Sequence, residues 1–162
     1  MNTVARAPSA DERGDLWLSF RIGQQLYAAP LGGVSEVLRD GELTPVPGAA
    51  PDLLGIRHLR GRIMPVLDGR RRLGLPEDQP PVDAECVRVV MLSHAGQLVG
   101  LRVDAVGELL NIGGKDVAPP PAGRACRQDD PVSGVLSWQD GFVALLEIGR
   151  LCRLTTENTH VA

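Results

Sequence analysis

Between Leu53 and Leu75 six arginines, Arg57, Arg60, Arg62, Arg70, Arg71 and Arg72, stand among glycines and mostly apolar residues, with Asp68 as the single acid. Arginine presents a planar fork that can hold a carboxylate or phosphate through two parallel bonds, so the stretch could grip RNA, an anionic ligand or another protein. RNA recognition calls for aromatic side chains among the cations, and residues 53–75 contain no Phe, Tyr or Trp. The whole chain carries a net charge of −3 and is only 3% aromatic, which also counts against a nucleic-acid face. For Arg70, Arg71 and Arg72 the ordinary reading is a solvated helix turn. Arg57, Arg60 and Arg62, set around Gly61, are the better candidates for binding protein carboxylates.

Other chemistries lack their constellations. His58, His94 and His160 are scattered singletons, and Cys86, Cys126 and Cys152 have no metal-binding spacing. Neither G-x-S-x-G, a P-loop nor G-x-G-x-x-G occurs, and the Gly pairs at 32–33 and 113–114 read as turns. The expectation is a protein with no catalytic residues, no cofactor and no metal. Cys86 and Cys152 sit among apolar neighbours, which predicts buried thiols, no disulfide framework and a reducing compartment. With no signal-peptide pattern and no apolar run of membrane length, a cytoplasmic location without direct membrane insertion is expected.

The elements that position these residues read as strands. The 162 residues, 43% apolar and 23% charged, suit one domain or two very small units sharing a core. "LWLSFRI" (16–22) alternates as a half-buried strand, and "CVRVVMLS" (86–93) is apolar on both faces. "GQLVGLRVDAV" (96–106) reads as one further strand, and "GVLSWQDGFVALLEI" (134–148) as a hairpin turning through Asp140-Gly141. Short helical turns are expected near 51–54, 69–73 and after Gly149. "GLPEDQPPVDAE" (74–85) reads as a linker, and 113–131, with PPP at 119–121, as a long loop. Residues 1–15 and 155–162 read as tails around a domain spanning 16–154.

An internal repeat organises the whole. "LYAAPLGGVSEVL" (26–38) lies over "LVGLRVDAVGELL" (98–110), matching Leu26 with Leu98, Val34 with Val106 and Glu36 with Glu108. "GIRHLRGRIMPVLD" (55–68) lies over "GVLSWQDGFVALLE" (134–147), matching Gly55 with Gly134, Ile63 with Phe142 and Asp68 with Glu147. The chain thus holds two similar β units, each too small to stand without the other.

In order and spacing, "FRIGQQLYAAPLGGVSEVLR", "TPVPGAAPDLLGIRHLRGRIMPVLDGRRRLGL", "VGLRVDAVGELL" and "GVLSWQDGFVALLEI" resemble the motifs of the CheW family of chemotaxis coupling proteins. The resemblance implies an all-β fold of two intertwined SH3-like five-stranded β-barrel subdomains with short helical turns. It also implies a non-catalytic adaptor joining the cytoplasmic domain of a methyl-accepting chemoreceptor to the regulatory domain of a CheA-type histidine kinase, and recruitment to receptor arrays. The same domain ends those kinases and opens fusions with a receiver domain; this chain reads as the stand-alone adaptor.

Carried over by motif, the receptor-binding groove maps to Val34, Glu36, Gly55, Arg60 and Gly61, with Glu36 and Arg60 as a paired acid and base. Kinase contacts match no single residues. His58 replaces the family's usual Asn, and Gly69 the Leu of its Asp-Leu-Arg. At Gly55 an added side chain is expected to obstruct a partner without disturbing the fold. A small barrel binding nucleic acid or a ligand is the alternative reading.

Overall fold

The computed structural model describes residues 15–76, 83–120 and 130–153. Nearly all of the two tails, half of the linker and the end of the PPP run lie outside them. Among the described residues ten strands run β1 (Leu16–Ile22), β2 (Gln25–Pro30), β3 (Val34–Arg39), β4 (Leu53–Leu59), β5 (Arg62–Asp68), β6 (Arg88–His94), β7 (Gln97–Val103), β8 (Ala105–Asn111), β9 (Val132–Trp138) and β10 (Gly141–Leu146). One-turn helices α1 (Gly69–Arg72) and α2 (Ile148–Leu151) follow β5 and β10. The strands form two five-stranded sheets, ordered β8-β1-β2-β10-β9 and β3-β6-β7-β5-β4.

The repeat reappears as a strand exchange. Each sheet takes a central hairpin from one half of the chain, β1–β2 or β6–β7, and its other three strands from the other half. The halves are joined by parallel pairing of β10 with β2 and of β5 with β7. Side-chain alternation then gives each central strand two buried faces. Val89 and Met91 fill the second barrel while Val90 and Leu92 enter a core shared between barrels; Ala28 and Ala29 divide in the same way on β2.

Four expectations are corrected here. The strand at 16–22 is not half-buried: on its second face Trp17 packs in the first barrel, and Ser19 is enclosed with its hydroxyl donating to the Glu108 carbonyl at 2.7 Å. The run 96–106 is two strands, because β7 stops at Val103 and β8 opens at Ala105 in the other sheet. The hairpin at 134–148 turns on Gln139-Asp140, since Trp138 pairs with Gly141 and Gln139 takes the positive φ of 53°. Cys86 is exposed, because it ends a 3₁₀ turn (Ala84–Cys86) ahead of β6, whereas Cys152 is buried and its thiol is pushed up to about 11 by burial, against the opposing charge of Arg72.

The arginines after Asp68 depart furthest from expectation. Arg70 and Arg72 turn inward, their side chains 18% and 12% exposed. Arg72 donates to the carbonyls of Leu151 and Arg150, tying α1 to α2, while Arg71 remains outside and donates to the Pro51 carbonyl. Arg70 donates to Asp104 Oδ2 at 3.0 Å, and that oxygen also accepts from the Gly23 amide at 2.7 Å. Asp104 is the one residue between β7 and β8, and its own amide donates to the Arg21 carbonyl. The chain changes barrels where this carboxylate collects two donors.

Asp104→Ala should therefore strand a half-buried amide and a largely buried guanidinium. The expected loss is about 2–3 kcal/mol, read as a lower urea midpoint with an unchanged slope. A midpoint equal to wild type would show that the carboxylate holds nothing.

Candidate functional site

Curling a five-stranded sheet into a barrel brings its edge strands together, and here the edges of the second sheet are β3 and β4. The chain leaving β3 crosses to β4, where Thr44 and Ile56 exchange backbone hydrogen bonds of 2.9 Å. Arg57 on β4 donates to the carbonyl of Arg39, the last residue of β3, at 2.7 Å. At the other end of the seam, Arg60 grips Glu36.

Local sequence sets that grip. Between Val34, opposite Leu92, and Glu36, opposite Met91, one extra residue makes a β-bulge, a device that re-aims side chains. Leu59 pairs with Arg62, leaving Arg60-Gly61 as a two-residue turn with φ of 52° and 77°. Positive φ at both positions is the hairpin geometry compatible with strand twist, and Gly61 supplies the second at little cost. An added Cβ at Gly61 meets nothing within 4 Å, so its backbone conformation, not space, calls for glycine.

Glu36 and Arg60 meet fork to fork. Nη1 donates to Oε2 at 3.0 Å and Nη2 to Oε1 at 2.8 Å. The Glu36 side chain is 34% exposed and that of Arg60 is 68%. The hydrogen bonds from Arg60, with its charge adding, hold the Glu36 carboxyl below its usual range, and they raise Arg60 further. Because the folded value of Glu36 is depressed, the pair contributes above the ordinary carboxylate pKa and is lost as pH falls through the lowered one. At neutral pH it is fully ionised.

The structure brings the expected acid and base together and gives the other residues distinct places. Val34 is half-buried against the shared core and Gly61 is exposed. Gly55 is buried, and the backbone approaching it is the chain's own: a Cβ there would lie 2.7 Å from the Thr44 carbonyl oxygen. Its counterpart Gly134 in the first barrel is crowded in the same way, 2.9 Å from the Ala118 carbonyl oxygen, where Ala118 bridges to Val135. The expectation that a side chain at Gly55 would spare the fold is thereby corrected. By contrast Gln139, an uncharged residue, stands where the first barrel would carry the equivalent of Arg60, so the acid–base pair belongs to one barrel alone.

Residues that sequence reasoning passed over include Thr44, whose role lies in its backbone, and the apolar residues Val37 and Ile63, exposed at 38% and 61%. Alternation of Ile63 with buried Met64 was the available signal for the latter. Among the described residues no cluster of His, Cys, Asp or Glu could hold a metal ion, and no helix is long and apolar enough to cross a membrane.

Comparison with known proteins follows the same outline. The family model described as the CheW-like domain matches residues 16–155. A protein named chemotaxis protein CheW from Rhizobium meliloti is 29% identical over 131 residues, covering 81% of this chain and 83% of that one. Protein FrzA of Myxococcus xanthus is 33% identical over 119 residues, covering 73% and 72%. The crystal structure of the scaffolding protein TtCheW from Thermoanaerobacter tengcongensis superposes with a TM-score of 0.75 at 27% identity, covering 88% of this chain and 94% of that one.

Two measurements check the site. Gly55→Ala and Gly134→Ala should each cost about 1–3 kcal/mol through overpacking against the bridging segment, read in thermal melts; an undiminished melting temperature for both would refute the shared closure role. In a pH titration followed by carboxyl NMR, Arg60→Ala should raise the Glu36 midpoint toward the ordinary carboxylate value, and an unmoved midpoint would show that Arg60 does not hold it.

Proposed function

Because this chain belongs to the CheW-like domain family, we propose that it is a non-catalytic adaptor coupling chemoreceptors to a CheA-type histidine kinase in a bacterial chemosensory pathway. The family assignment supports a scaffold, and the inward Arg70 and Arg72 speak against a nucleic-acid face, since two of the six clustered cations are spent inside the fold. The observation that carries the finer reading is the fork-to-fork Glu36–Arg60 pair across the seam.

Glu36 orients the guanidinium without covering it, which leaves Arg60 with spare N–H donors for a carboxylate or carbonyl on a helical receptor hairpin. Val34 and Gly61 shape the site through the bulge and the turn, and Gly55 contributes by seating the Thr44 segment. The proposed partners are the cytoplasmic domain of a methyl-accepting receptor and the kinase regulatory domain, and the proposed place of action is the cytoplasmic face of a receptor array.

The test is a double-mutant cycle on binding to a receptor cytoplasmic fragment. Arg60→Ala and Glu36→Ala should each weaken binding, and the double variant should lose clearly less than the two losses combined, because Glu36 acts through Arg60. Melting temperatures should stay close to wild type for all three, the pair being exposed. Additive losses would mean that the two residues act separately, and unchanged binding would remove the site.

A further inference from the structure

The exchange of hairpins makes each half of the chain a partner for the other. The first half supplies β1 to β5 and the second β6 to β10. Of the eight strand pairings among the described residues, four join the halves: β1 with β8, β2 with β10, β3 with β6 and β5 with β7. The shared core draws on both, with Phe20, Tyr27 and Leu67 from the first half and Leu92, Leu101 and Leu146 from the second. Beside that mutual burial the covalent connection is slight, a single passage of backbone from Pro76 to Asp83.

Polar contacts decide which half each one accepts. Asp104 of the second half collects Arg70 and the Gly23 amide from the first, Arg102 meets Asp40 at 3.0 Å, and Arg72 donates to the carbonyls ending α2. In the internal repeat Gly32 stands at the position of Asp104 and Gly149 at that of Arg70. Pairing two like halves would therefore leave Arg70, or Asp104, enclosed without its counter-charge, which is strongly unfavourable. Each half is built for its complement and not for a second copy of itself. Glu36 and Arg60 both lie in the first half, so their pair is complete whichever chain supplies that complement.

We propose that a second copy of this chain can supply the complement, so that two copies trade halves and close into a dimer of two complete two-barrel bodies. Every strand pairing and core contact of the single chain is kept. Only the route of the connection changes, which makes such an exchange a low-cost path to a dimer. Each body retains its Glu36–Arg60 pair, and the dimer presents that pair twice on one particle.

The experiment unfolds the full chain, refolds it over a range of protein concentrations and measures mass by light scattering after size separation. A species of twice the chain mass should appear, with a share that rises with refolding concentration. Removal of Gln79, Pro80 and Pro81 should raise that share several-fold, because a shortened connection favours exchange over return to its own body. An exchanged dimer is told from two bodies side by side by a protease site of equal length replacing residues 77–82. Cutting the isolated dimer there should halve its mass, leaving both fragments together in every particle. A dimer that keeps its mass after the cut, or fragments that part from each other, would overturn the proposal. So would single-chain mass at every refolding concentration of the full chain.

Discussion

Strand exchange between the two halves of the chain is the constraint on which the rest depends. A unit of two strands plus three cannot bury its central hairpin alone, because that hairpin has one face inside a barrel and the other in a core supplied by the opposite barrel. Every packing interaction within one barrel therefore bears on the other. Cooperative unfolding of both together follows, and so does a rigid body with no internal hinge at its centre. The sharp crossover at Asp104 belongs to this design: the chain must pass from one sheet to the other within a single residue, and a carboxylate accepting from Gly23 and Arg70 makes the passage rigid.

Closing each barrel creates a seam, and exposed sheet edges invite unwanted pairing. Both seams are sealed by one device, a bridging segment seated on a glycine: Thr44 on Gly55 in the second barrel and Ala118 on Gly134 in the first. Since the glycine recurs in both barrels, closure accounts for it. The Glu36–Arg60 pair does not recur. A feature present at one of two equivalent seams is not needed for closure, and it is there that a distinctive binding role is to be sought. The internal repeat thus serves as a control within the molecule, separating what the fold requires from what one surface adds.

The repeat and the partnership of Glu36 with Arg60 were legible in the sequence, the first through pattern and the second through family resemblance. What escaped reading depended on tertiary context. Nothing in "GLRVDAV" marks Asp104 as a break, because hydrophobic alternation continues through it. Arg70 and Arg72 looked like a solvated run, because one helical turn with three cations ordinarily faces water. Here the acceptors that draw two of them inward, Asp104 and the carbonyls ending α2, lie far along the chain. Cys86 was misjudged because apolar neighbours in sequence pointed into the barrels while the thiol sat on the turn before them. The burial of Gly55 could not be seen either, since its neighbour is the backbone of Thr44, whose position no side-chain pattern encodes.

Rigidity and an exposed ion pair together constrain how such a protein passes information. An exposed pair contributes little to stability, so its value lies in fixing where the guanidinium points. Its ionisation does not change near neutral pH, because hydrogen bonding pushes Glu36 down and Arg60 up, away from the physiological range. The pair accordingly presents a constant charge arrangement around neutral pH, without a pH switch at its centre. With both barrels packed on one shared core, a displacement imposed on one barrel is passed to the other as rotation or translation of the whole body. Transmission of that kind requires no second conformation of the adaptor, only that each interface be firm enough to carry the movement.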